Sequence, residues 1–124
     1  MNTLLWILAV VLAVAFVASG TLKLSMQRED LIDRTPYVED FPHWTIQAIG
    51  VLEILGAVGL LLPGILNVAT ILVPLAAAGL AITMVFAALV HARRGDPTMT
   101  ALPSMVLALL SVAVAWLRFG PYPL

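Results

Sequence analysis

The chain has 124 residues, a net charge of −1 and no cysteine. It is 62% hydrophobic before glycine is counted, and 10% charged, against about 45–50% apolar and about 25% charged in soluble domains. A soluble fold this small cannot hide so much apolar surface. The charge balance gives no footprint for nucleic acid, and the missing cysteines exclude disulfides, thiol relays and Cys-based metal sites.

Four uncharged runs follow in order: Thr3–Leu22, Trp44–Leu62, Ile65–Val90 and Thr98–Leu117. Glu53 is the one exception, standing inside the second. Each run is long enough for a membrane helix, and spans of approximately 3–24, 44–62, 65–91 and 98–118 are expected. The expected fold is an all-α bundle of four transmembrane helices in a single domain, 1–124. The first run lacks a basic n-region and is too long for a signal sequence, so it reads as an anchor.

Small residues recur along each helix at helical spacing. The first span has Ala9, Ala13, Phe16, Gly20 and then Lys23. The second places Gly50, Gly56 and Gly59 around Glu53. The third has Ala77, Ala81, Met84, Ala88 and then His91. The fourth has Ser104, Ala108, Ser111, Ala115 and then Arg118. Such stripes are expected at helix interfaces in lipid. Gly20, Gly50, Gly56, Gly59, Ala77 and Ala81 are the candidate packing positions.

Loops supply the punctuation. Residues 25–43 form the only sizeable hydrophilic segment. Its Met26, Leu31, Ile32 and Val38 suit a short amphipathic piece on the membrane surface; a solvated connector is the other reading. Pro63-Gly64 is expected to end the second span in a tight turn. Pro74 is expected to kink the third. Gly95-Asp96-Pro97 separates the third from the fourth. Trp6, Trp116 and Tyr122 mark one membrane interface, and Tyr37, Phe41 and Trp44 the other. His43, beside Trp44, reads as interfacial.

Lys23, Arg28, Arg34, Arg93 and Arg94 lie on the side of the inter-span loops, and Arg118 lies on the side of the termini. The positive-inside bias puts loops 25–43 and 92–97 in the cytoplasm. A plasma (inner) membrane location is expected.

Glu53 is the residue that demands a reason. A charge in the bilayer core is costly unless paired, protonated or hydrated. It is about nine residues beyond Trp44, or roughly 13 Å deep. Lys23 enters from the same side and has a stem long enough to reach inward. His91 ends the third stripe on that side too. Lys23, Glu53 and His91 therefore form the candidate cluster, on one pocket opening toward the loops. Three readings stay open: a structural Glu53–Lys23 pair, a ligand or proton site, and a lone protonated carboxylate. Two histidines on separate helices do not have a spacing that favours haem. No metal site and no catalytic set is expected.

The residues around this cluster also resemble a known family. Ser19-Gly20-Thr21-Leu22-Lys23-Leu24 is similar to the end of the first helix in DoxX-like membrane proteins. Gly50 to Pro63, "GVLEILGAVGLLLP", resembles their second helix, and Ala76 to His91, "AAAGLAITMVFAALVH", their third. The resemblance implies a four-helix membrane bundle in which Lys23 and Glu53 are family features. The family takes its name from small membrane subunits of a thiosulfate:quinone oxidoreductase, other members look like accessory parts of redox or oxidative-stress assemblies, and most have no assigned reaction. Dithiol chemistry does not carry over, because there is no cysteine.

Two functions are expected from this. The first is a non-catalytic subunit or accessory module, with the bilayer, its own copies or another membrane protein as partners. The alternative is a binder, or even an enzyme, of a quinone or similar lipophile at Lys23, Glu53 and His91. No other cofactor is expected. A transporter is a weaker third: one buried acid and one kinked helix make no path without oligomerisation.

Overall fold

Each apolar run becomes one long helix in the computed structural model, which describes residues 1–124. The order is α1 (Asn2–Ser25), α2 (Arg28–Arg34), a 3₁₀ turn (Pro36–Asp40), α3 (His43–Leu66), α4 (Leu72–Arg94) and α5 (Thr98–Phe119), with no strand. The long helices have 24, 24, 23 and 22 residues. At about 1.5 Å per residue, each exceeds a hydrocarbon core of about 30 Å. Their outward residues are as apolar as their inward ones. Val14 on α1 is 66% exposed, Leu55 on α3 61%, Ile82 on α4 71% and Leu109 on α5 70%. Water would not tolerate that surface on every helix; lipid does.

The bundle is two antiparallel pairs, α1 with α3 and α4 with α5, joined by α3 against α4. Of the adjacent long helices, α1 and α5 touch least. Leu5, Leu12, Phe16, Leu60 and Val114 are fully buried along the axis. Closest approach is between Gly20 and Gly50. A Cβ on Gly20 would stand 2.6 Å from the Gly50 carbonyl oxygen, and one on Gly50 would stand 2.9 Å from that of Gly20. Only glycine at both positions lets these backbones meet. Gly59 plays a similar part against Ala76, where a Cβ would stand 2.8 Å away.

Two expectations about proline are corrected. Pro63-Gly64 does not end the second span: α3 runs on to Leu66 and stops at Asn67, whose φ of 53° is left-handed. The Val68 N–H then bonds back to the Pro63 carbonyl at 3.1 Å, a Schellman closure. Pro63 loses only its own bond to the Gly59 carbonyl in the last turns. Gly64 stays helical, and Trp6 packs where its Cβ would be, 2.7 Å away. The turn therefore falls at 67–71. Pro74 does not kink the third span either. With α4 starting at Leu72, Pro74 sits in the first turn, where an N–H has no helical partner to lose. The prolines inside helices are Pro63 of α3 and Pro103 of α5.

The loop of residues 25–43 is neither a surface float nor a solvated connector. Leu31, Tyr37 and Val38 turn inward and bury themselves against Ile46, with Met26, Ile32 and Val90 packed around them. The segment is a lid on the loop-side end of the bundle. Arg28 ties it to itself through the Phe41 and Glu39 carbonyls, at 2.7 and 3.2 Å. Arg94 ties it to α4 through Asp40 at 2.7 Å and Glu39 at 3.1 Å. Tyr37 is thus a buried residue and not an interfacial one, whereas Trp44 and Trp116 are 69% and 74% exposed near the two ends.

Candidate functional site

The site begins at the Gly20–Gly50 contact. From there α1 continues toward the loop side and α3 away from it, so Lys23 and Glu53 sit about 9 Å apart along the axis. Helical side chains tilt toward their own N-terminus. In this antiparallel pair the tilt sends Lys23 inward and Glu53 outward, toward each other. Lys23 Nζ lies 2.9 Å from Glu53 Oε1 and donates to Ser19 Oγ at 2.6 Å. The Lys23 side chain is 14% exposed and that of Glu53 is fully buried. The contact is a close ion pair without well-directed hydrogen bonding at the carboxylate, and Glu53 Oε2 has no hydrogen-bond partner.

His91 is held differently. Its Nδ1 is 2.8 Å from Asp96 Oδ2, a contact made possible by the left-handed Gly95, φ 72°, that ends α4. The His91 hydrogen bond, helped by the Arg94 charge, holds the Asp96 carboxyl below its usual range. Asp96 is therefore an ionised acceptor that fixes which ring nitrogen carries the proton. The Tyr37 ring stands edge-on to His91, with centroids 5.0 Å apart. Burial, and then the Glu53 charge, push the Tyr37 phenol up to about 12, so it stays protonated and remains an O–H donor.

Two cavities flank the ion pair. One, of about 350 Å³, is lined by Glu53 together with Tyr37, Phe41, Ile49, Met84 and Phe86. Its rim includes Leu52 and Ile82, which are exposed on the lipid-facing surface. The other, of about 430 Å³, is lined by Lys23 and His91 with Ser19, Arg34, Ser104 and others from the lid and α5. Tyr37, Met84 and Ala87 line both and form the partition. The three candidate residues do not share one pocket: Lys23 touches Glu53, but His91 joins Lys23 in the second cavity only. His43 lies apart from all three, in the first turn of α3.

Sequence reasoning did not single out Tyr37, Asp96 or Ser19 as members of this site. Ser19 carries the one usable signal, a hydroxyl one helical turn before Lys23. At the opposite end, the Arg118 that closes the fourth stripe is buried and donates to Asn2 Oδ1 at 2.6 Å and to the Tyr122 carbonyl at 3.1 Å. It clasps α1 to α5 beside Trp6 and takes no part in the loop-side site. No three histidines and carboxylates converge as metal ligands would.

Fold and site together define a small integral membrane protein: four apolar helices around an ion pair buried between α1 and α3, capped on the loop side. The chain belongs to the DoxX-like family, whose sequence model matches residues 7–114. Lys23, Glu53 and His91 all fall within that stretch. No curated protein and no solved structure matches the chain.

Proposed function

We propose that the protein is a non-catalytic membrane module that binds a small lipophilic molecule with a hydrogen-bonding head, of the quinol class, in the Glu53 cavity. The observation that carries this reading is Glu53 Oε2, a fully buried carboxylate oxygen without a partner on the wall of a largely apolar cavity. An unmet acceptor in such a place is costly to the protein alone. A ligand hydroxyl would satisfy it. The volume of about 350 Å³ is at the small end of ligand sites and suits one ring and the start of a tail. The exposed rim between α3 and α4 opens toward lipid, the source of such a molecule. Lys23 stands 2.9 Å from the carboxylate as its counter-charge, and Tyr37 offers a protonated phenol on the same wall.

The reading of the chain as a purely structural subunit has no comparable support. Exposed apolar residues run round all four helices, as lipid contact alone requires, and single out no docking face. In this account the loops face the cytoplasm of a plasma (inner) membrane, as the distribution of Lys and Arg favours.

Binding of a short-chain quinol to the purified protein, read by calorimetry, tests the proposal. Ile49→Trp fills the cavity and leaves the ion pair intact; it should abolish binding. The double variant Lys23→Met, Glu53→Gln removes the acceptor charge without leaving a lone charge behind; it should weaken binding at least about tenfold. Unchanged binding in both variants would overturn the reading.

A further inference from the structure

The second cavity is built for the opposite chemistry. Lys23 and Arg34 line it, with the hydroxyls of Ser19, Thr100 and Ser104, and no Asp or Glu is on its wall. The carboxylates that balance Lys23 and His91 stand behind that wall: Glu53 on the other cavity, Asp96 at the end of α4. Arg34 is unspent. It forms none of the chain's ion pairs, whereas Arg28 and Arg94 of the same region are both committed to the lid. Lys23 Nζ has three N–H donors and two close partners, Ser19 and Glu53. One donor remains.

We propose that this cavity is a phosphate-group site. The guanidinium of Arg34 suits a bidentate phosphate contact, and the free Lys23 donor and the Ser and Thr hydroxyls add further donors. The shared chemistry has two sources, the headgroup of an acidic phospholipid and free inorganic phosphate. The surroundings suit the lipid. The cavity lies at the loop-side end of the α1–α5 seam, the loosest in the bundle, and Leu22, Pro103 and Leu107 form its apolar walls. A headgroup can enter there from the membrane surface while its chains stay in lipid. The site is a separate cavity from that of Glu53, with Tyr37, Met84 and Ala87 as the shared partition.

The test is thermal unfolding of the purified full chain in neutral detergent, titrated in parallel with phosphatidylglycerol, with phosphatidylcholine and with inorganic phosphate at constant ionic strength. A ligand that binds only the folded state raises the melting temperature. Phosphatidylglycerol should raise it and phosphatidylcholine should not. The Arg34→Gln variant, altered on the exposed lid, should fold normally and bind about tenfold or more weakly. A rise with inorganic phosphate as well, lost in Arg34→Gln, supports the site with a free anion as its occupant. No selective rise with either, or a rise that Arg34→Gln leaves unchanged, overturns the proposal. Ile49→Trp, which blocks the other cavity, should leave the response intact, so the two proposals can fail separately.

Discussion

Lys23 and Glu53 meet because α1 and α3 run antiparallel through the Gly20–Gly50 contact. Both side chains tilt toward their own N-termini, which closes an axial gap that the backbones leave open. The resulting 2.9 Å contact is the only ion pair within the membrane-depth part of the bundle, and its two ends face different cavities. The carboxylate thereby has a counter-charge beside a largely apolar cavity.

Breaking one half of this pair should cost more than removing both. Glu53→Gln leaves the Lys23 charge without its counter-charge and is expected to destabilise the fold by about 3 kcal/mol. Lys23→Met in the same chain should recover most of that loss. Chemical or thermal unfolding in detergent of the two single variants and the double variant measures the coupling directly.

The glycines divide sharply. Gly20→Leu forces atoms into the Gly50 backbone and should separate Lys23 from Glu53 as well as weakening the α1–α3 pair. Gly79 has open space around it, with nothing within 4 Å of an added Cβ. Gly79→Ala should therefore be neutral or stabilising by about 0.5–1 kcal/mol through helix propensity. Melting temperatures of the two variants, measured side by side, check this.

The His91–Asp96 contact should make the loop-side end acid-sensitive. Asp96 has a depressed pKa in the fold. Its contribution is present above the ordinary carboxylate pKa of about 3.9 and is lost as pH falls through the lower folded value. Hydrogen-exchange protection at Gly95 and Asp96, relative to the intrinsic rate at each pH, should fall on acidification below about pH 4. Asp96→Asn should show the lowered protection already at neutral pH.

Tyr37 gives the alkaline counterpart. Its folded pKa is raised to about 12 by burial and by the Glu53 charge. The stabilisation is complete below the ordinary tyrosine value of about 10 and is lost as pH rises toward 12. The difference in tyrosinate absorbance between wild type and Tyr37→Phe should show one phenol titrating late, and Tyr37→Phe should lose the alkaline destabilisation.

Much of this architecture is legible in the residues themselves. Hydropathy alone marks four spans, and an acid inside one of them with a lysine at the end of another invites a pair. The stripes of Ala9, Ala13 and Phe16 on α1, and of Ala77, Ala81 and Met84 on α4, are buried as their helical spacing implies. What local pattern could not convey is direction and register. Pro63 reads as a stop, yet the helix end is decided by Asn67, which accepts a left-handed backbone. Tyr37 and Val38 lie among charges, and nothing local says that the segment folds inward over Ile46. The His91–Asp96 contact needs the chain reversal at Gly95, and the partition of one expected pocket into two depends on where Tyr37, Met84 and Ala87 converge from separate elements.

The central claim is that the Glu53 cavity holds a lipophile, and native mass spectrometry of the protein released gently from its own membrane tests it most directly. The account predicts a stoichiometric bound mass in the range of a quinol or similar lipophile, retained in Arg34→Gln and lost in Ile49→Trp. A bare protein mass from that membrane, or the same adduct undiminished in Ile49→Trp, would contradict it.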